Sequence, residues 1–298
     1  MSELRKIFVV AMYDFRRWRR NPRIIITFAL AFILCFMLSD KAVRFAADNK
    51  TTMQFLEAFI WTFGDADSIM LSSALLLLLF ADMPFITTAT PFFLMRINRK
   101  TFLLGQGLYI VLTTLCYIFF VLLSTTVICM NNSFFGNVWS ETAALLGYSG
   151  AGADIALPSF VKVMTLSRPY TCTLHIFFLM LLYALVLAFV MLLGNLRKGP
   201  AAGVGAAFVF TLVGFLLKPD LLQKLFKLSD ALQYKANVAV GWLSPLNQAT
   251  YYMHNFGYDL LPRLWQTYAI FSGLILLLFW LSLHSIRSYS FNFTGTEG

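Results

Sequence analysis

Charge is what this chain lacks most. Only 12% of its 298 residues are Asp, Glu, Lys or Arg, where a soluble domain carries about 25%. A chain this long could bury a large core in water, but too few charges remain to surface it. Histidine is scarce at three and cysteine at four, and neither falls at a spacing that resembles a zinc site. No GxxxxGK[ST] phosphate loop occurs, which excludes P-loop binding of ATP within these residues. The first 23 residues lack the short apolar core of a cleavable signal peptide, so none is expected. No internal repeat stands out.

What fills the chain instead is apolar: 59% of residues are hydrophobic. The economical reading is an all-α, polytopic membrane protein. A helix rises about 1.5 Å per residue, so about 20 apolar residues cross a hydrocarbon core of about 30 Å. Six segments qualify: 23–45, 68–88, 102–130, 173–193, 200–217 and 264–285. The first and fifth have short apolar cores, but charges flank both in the right places.

An even number of spans puts both termini on one side, and the basic residues say which side is cytoplasmic. With the termini inside, that face carries Arg5, Lys6, Arg16, Arg17, Arg19, Arg20, Arg23, Arg96, Arg99, Lys100, Arg197, Lys198 and Arg287. These thirteen bases meet four acids, Glu3, Asp14, Asp82 and Glu297. The other face holds ten of each sign, so the net +9 of the protein lies inside. A multi-pass protein of the plasma (inner) membrane is expected. The basic residues sit in short segments between spans, which argues against a nucleic-acid partner.

The stretch SELRKIFVVAMYDFRRWRRNPR reads as a helix over 2–21 lying along the membrane lipid. Leu4, Ile7, Phe8, Ala11, Met12, Phe15 and Trp18 recur at three- and four-residue steps. Arg16, Arg17, Arg19 and Arg20 mass beside Trp18, which is expected at headgroup depth. Pro22 turns the chain into the first span.

Between spans two and three, Thr90–Pro91 signals a helix start. Residues 90–100 then make a short cytoplasmic helix that sets Phe92 and Phe93 beside Arg96, Arg99 and Lys100. Two aromatics and three cations on a rigid helix suit docking into another protein. A loop that merely sets topology would carry the same charges.

The loops 39–67 and 131–172 read as polar outer loops with short apolar pieces. In 218–263, Leu221, Leu225, Leu228 and Leu232 fall on one helical face. VAVGWLSPLNQATYYM follows, too broken by Gly241 and Pro245 to span, and suited to a segment that dips into the outer leaflet and returns.

This layout resembles the ABC type-2 exporter permeases. The stretches YDFRRWRRNPR, RINRKTFLLGQ and WLSPLNQATYY carry the resemblance, which covers nearly the whole chain as an arrangement. It implies six spans, an interfacial amino-terminal helix and a broken re-entrant outer segment between spans five and six. It also implies a dimer, with a second copy or a related permease, each copy binding a separate cytoplasmic ABC ATPase. ATP and Mg would then belong to that partner, and this chain would be neither an enzyme nor a cofactor carrier. Phe92, Phe93, Arg96, Arg99 and Lys100 would form the coupling helix. The 131–172 loop is longer than the family usually has, which marks a specialised outer domain.

Two other classes compete. An ATP-independent secondary transporter or channel is the alternative, but its coupling needs ionisable groups inside the bilayer. Here Asp82 lies near a span end, where pairing with a neighbouring cation explains it. His175 and His284 also lie near span ends. An intramembrane enzyme would need more than GYSG at 147–150, a four-residue match to a serine-protease motif in an outer loop with no mid-span His as base.

Small and aromatic residues add detail. GPAAGVGAA spaces Gly199 with Gly203, and Ala201 with Gly205, four apart, as close helix packing in lipid requires. Phe32 and Phe36 on span one and Phe208 and Phe215 on span five form aromatic faces. The resemblance implies that these spans border the central substrate path, which they would make apolar, while lipid-facing or core packing is the commoner reason for such stripes. Cys129 and Cys172 fall at the outer ends of their spans, where a disulfide remains open.

Overall fold

A computed structural model describes residues 2–18, 21–86, 90–149, 160–227, 229, 232–257, 259–289 and 291. The protein is almost entirely helical. In chain order the helices are α1 (Glu3–Arg16), α2 (Pro22–Asp48), α3 (Glu57–Phe63), α4 (Ala66–Phe80), α5 (Thr90–Arg96), α6 (Arg99–Cys129) and α7 (Glu141–Tyr148). They continue with α8 (Phe160–Leu166), α9 (Pro169–Lys198), α10 (Pro200–Leu216), α11 (Pro219–Phe226), α12 (Gln233–Leu243), α13 (Pro245–Ala249) and α14 (Leu264–Ser285). Two two-residue strands, β1 (Met53–Gln54) and β2 (Ser133–Phe134), pair in parallel.

Among the described residues four helices, α2, α6, α9 and α14, are long and apolar enough to cross a membrane. The number rises to six when each of two bent pairs counts as one span: α3 with α4 (89°) and α10 with α11 (77°). The expected second span, 68–88, is corrected. Helix α4 stops at Phe80, because Pro84, which has no N–H, follows the turn at 81–82. Fifteen residues rise only about 22 Å. Position 88 lies outside the described residues.

Helix α9 is the hub. It packs against α3, α4, α6, α10, α13 and α14, and 67% of its most apolar window is buried. Side chains from Leu179 to Phe189 that meet protein almost all round explain its near-continuous apolar run, while Tyr170, Leu174 and Phe178 leave one exposed stripe on its first half. By contrast, α2 buries one narrow stripe, Thr27, Ala31, Cys35, Ser39, Ala42 and Ala46. These small residues let it lie close to α4 and α6, the device that replaces hydrophobic drive between helices in lipid.

Glycines set the closest approaches. A Cβ at Gly105 of α6 would lie 2.6 Å from Val10 Cβ of α1, and one at Gly107 would lie 2.7 Å from the Phe279 ring of α14. At the α9–α10 turn Gly199 takes φ +92°, which glycine adopts without strain. Beyond it, a Cβ on Gly203 would sit 1.7 Å from Asn195 Oδ1. Gly205, from the same spacing motif, has nothing within 4 Å. Only one of the two paired glycines is therefore a packing device.

The two ends of the bundle are stitched differently. At the end bearing α1, Arg23 pairs with Asp82, and Asn195 Nδ2 donates to the carbonyls of Ala81 (2.9 Å) and Met83 (2.6 Å). Arg197 reaches Ser285 Oγ at 3.4 Å. At the opposite end, 39–67 and the described parts of 131–172 (131–149 and 160–172) are not separate loops but pack as one layer. The first ten residues of 39–67 extend α2, and α3, expected as loop, is buried along its whole length. Glu57 is fully buried and anchors the layer. Ser140 donates to it from its N–H (2.8 Å) and its hydroxyl (2.5 Å), and the same hydroxyl accepts from Ala143 N–H to cap α7. Thr142 donates to the Thr52 carbonyl (2.9 Å), and Trp139 Nε1 to the Ser167 carbonyl (2.9 Å).

Residues 218–263 also depart from expectation. On α11 the buried residue is Leu222, which meets Ala236 and Val240 of α12, while Leu221 and Leu225 are exposed. Leu228 lies outside the described residues. The helix break expected near Pro245 falls at Ser244, whose hydroxyl donates to the Gly214 carbonyl of α10 at 2.9 Å. Leu246, Gln248 and Ala249 are buried behind it against α4, α9 and α10.

Candidate docking platform and aromatic faces

The platform begins with α1. Its apolar stripe faces two ways. Leu4 and Phe8 are exposed, while Val10, Ala11 and Asp14 are buried against α6. Trp18 packs into the corner between α1, α2 and α6. Its Nε1 donates to Tyr109 Oη at 3.0 Å, and its ring lies 4.9 Å from Phe15 and 5.7 Å from Phe28. The indole is therefore engaged inside the chain. Arg16 and Arg17 are exposed; Arg19 and Arg20 lie outside the described residues.

Asp14 is the unexpected member. Gln106 Nε2 donates to its Oδ2 at 2.7 Å, and Gln106 Oε1 accepts from Phe85 N–H at 3.3 Å. One amide thus ties α1, the segment after α4, and α6. Burial pushes the Asp14 carboxyl up from the ordinary range to about 7, against the lowering effects of the Gln106 bond and nearby Arg17. The folded state then holds a proton that the unfolded chain releases near pH 4. The stability it contributes is full below that and is lost as pH rises through 7. We expect the amides of α1, corrected for intrinsic exchange, to be better protected at pH 5.5 than at pH 8.5. Asp14→Asn should remove that difference, and an unchanged difference in the variant would refute the assignment.

Helix α5 starts where Thr90–Pro91 predicts it but ends at Arg96, so Arg99 and Lys100, expected on the same short helix, instead open α6 behind the Asn98 cap. Helix α5 is held from two sides. The Phe93 ring meets Tyr13 of α1 edge-on at 5.2 Å. Just beyond α5, Arg99 Nη1 donates to the carbonyls of Arg287 and Tyr289 at 3.0 Å each, and its guanidinium lies 5.4 Å from the centre of the Phe291 ring. Glu3 accepts from Thr101 Oγ1 at 3.0 Å and pairs with Lys6 at 2.6 Å. Of the five residues expected to couple, Phe93 and Arg99 make contacts within the chain. Phe92, Arg96 and Lys100 are exposed, Phe92 to 65%. Sequence reading missed Met95, 75% exposed beside them, and the contribution of the carboxy-terminal segment.

The four path aromatics do not converge within one chain. Phe32 and Phe36 are exposed on the outer side of α2, and Phe208 is 63% exposed on α10. Phe215 is half-buried, with Lys218 Nζ 4.7 Å from its ring centre. Helices α2 and α10 each pack against α4.

Other chemistry is quiet. Ser149 of GYSG donates to the Leu145 carbonyl of its own helix at 2.5 Å; Gly150 lies outside the described residues. All four cysteines are free thiols, and Cys129 Sγ lies 3.2 Å from the Phe55 carbonyl. Among the described residues no three His, Cys, Asp or Glu side chains gather as a metal site would require. Comparison with protein-family models, with curated proteins and with solved structures finds no match.

Proposed function

We propose that this chain is the membrane-spanning subunit of an ATP-driven exporter, an ABC type-2 permease in layout, working as a dimer with a separate ATPase subunit. In this reading it crosses the plasma membrane six times. The termini and 90–100 are cytoplasmic, and α12–α13 form the broken re-entrant segment.

The observation that carries the reading is the packed platform at one bundle end. Helix α5 is gripped by α1 through Phe93 and followed by the Arg99 clamp on the carboxy-terminal segment, while Phe92, Met95, Arg96 and Lys100 face outward. A loop that only set topology would need the charges but not the two grips. The same end gathers the segments that carry the excess of basic residues, which favours a cytoplasmic face. Asp82, the carboxylate an ion-coupled carrier would use, is instead paired with Arg23 and half-exposed, which weakens the secondary-transporter reading.

The outward aromatics bear on cargo. Phe32, Phe36 and Phe208 project away from the subunit, so a route they line lies between two copies. Uncharged aromatic walls favour a hydrophobic or amphipathic peptide or drug. Exchanging these three for Ala should change which amphipathic compounds move in ATP-driven vesicle assays, while the purified complex stays intact. Unchanged selectivity in the triple variant would return the rings to lipid contact.

A further inference from the structure

Helix α5, the turn after it and Phe291 border an open hollow of about 540 Å³, lined by Pro91, Leu94, Met95, Ile97, Asn98, Arg99 and Phe291. Arg99, Phe102 and Tyr289 are among the residues that hold Phe291 there. The Arg99 guanidinium covers it, the Phe102 ring meets it at 6.1 Å, and the Tyr289 ring at 5.1 Å. Upstream, Ile286 is fully buried, which fixes where the segment leaves α14. Arg96 and Lys100, next in sequence to residues that line the hollow, are exposed, and among the described residues no carboxylate pairs with either.

We infer that the docking seat is composite: the carboxy-terminal segment supplies one wall through Phe291, and Arg99 is a positioning residue that holds this wall against α5. The inference rests on the exporter reading above and adds the chemistry of what docks. The ATPase surface that enters the hollow meets apolar walls from Leu94, Met95, Ile97 and Phe291 and polar ones from Asn98 and Arg99, and the exposed Arg96 and Lys100 nearby in sequence take its carboxylates. Arg99 spends Nη1 on both backbone bonds, so its holding role has to be separated from its charge by substitution. A guanidinium can donate to two carbonyls from Nη1 while its plane covers a ring, whereas an ammonium is a compact, more strongly hydrated head with no plane to lay on that ring.

The test uses the full chain purified with its ATPase from native membranes, and the isolated chain in vesicles. Arg99→Lys keeps the charge, so charge contact and positioning separate. We expect Arg99→Lys, Arg99→Ala and Phe291→Ala all to speed amide exchange of 90–99 in the isolated chain. All three should weaken ATPase association roughly thirtyfold, the scale for losing an interface anchor. Phe291→Leu, which keeps an apolar wall, should retain most association. Arg96→Glu should weaken it more than Arg96→Ala. Wild-type exchange and association in Arg99→Lys would overturn the positioning role. Loss of association in Phe92→Ala with none in Phe291→Ala would overturn the composite seat but leave the exporter reading standing. Wild-type association in both would overturn the seat and move docking elsewhere on the chain, whereas a wild-type chain that carries no ATPase would remove the exporter reading itself. Equal protection of 90–99 by phosphatidylglycerol vesicles lacking ATPase, against phosphatidylcholine controls, would assign the surface to anionic lipid and overturn the proposal.

Discussion

Gly203→Ala should cost about 3 kcal/mol or more, the upper range for overpacking, while Gly205→Ala two residues along should cost nothing measurable. The new methyl at 203 would lie 1.7 Å from Asn195 Oδ1 and 2.5 Å from the Met191 carbonyl. Relief requires moving Asn195, which holds the turn at 81–83 with two bonds, each worth about 1 kcal/mol. It also requires separating α9 from α10, since a Cβ on Gly194 would lie 2.6 Å from Gly203 Cα. At 205 the space is open. Thermal unfolding in one detergent, read for both variants, checks this. Equal midpoints would mean that α9 and α10 do not approach as described.

The second large effect is functional. The Phe92→Ala, Arg96→Ala double variant should lose most ATPase association, because these two residues project from α5 without a structural partner among the described contacts. A central aromatic or Arg anchor commonly contributes about 2 kcal/mol or more to an interface, so losing both should cost a hundredfold or more on the order of 3–4 kcal/mol. Phe93→Ala should act differently. It removes the contact with Tyr13, loosening α5 from α1, so the loss should appear first as faster amide exchange in α1 and α5. Lys100, beside Arg99 at the start of α6, should matter least, as a rim charge does.

Much of this architecture was legible from residues alone. The span expected at 264–285 is α14 to the residue, since Arg263 and the apolar run mark both limits. The α5 start followed from Thr90–Pro91. What stayed hidden depends on distant partners. Helix α3 reads EAFIWTF, apolar nearly all round, with a carboxylate that belongs in a loop until Ser140, 83 residues away, satisfies it. Arg96 and Arg99 are alike in sequence; their roles diverge because Arg99 meets carbonyls 188 and 190 residues further on. Gly203 and Gly205 share one motif, and only the face turned to α9 distinguishes them. Asp14 looked like a stray acid among arginines until burial gave it Gln106.

The central claim, that this chain is the membrane half of an ATP-driven machine docked through 90–100, meets its most direct test in the mass of the intact complex. The tagged chain would be released from its own membrane into detergent micelles and weighed by native mass spectrometry, beside the Phe92→Ala, Arg96→Ala variant. The account predicts a complex of permease copies with Walker-motif ATPase subunits for the wild type, and permease copies alone for the variant. A wild-type chain that carries no ATP-binding subunit, or a variant that keeps its full complement, would contradict it.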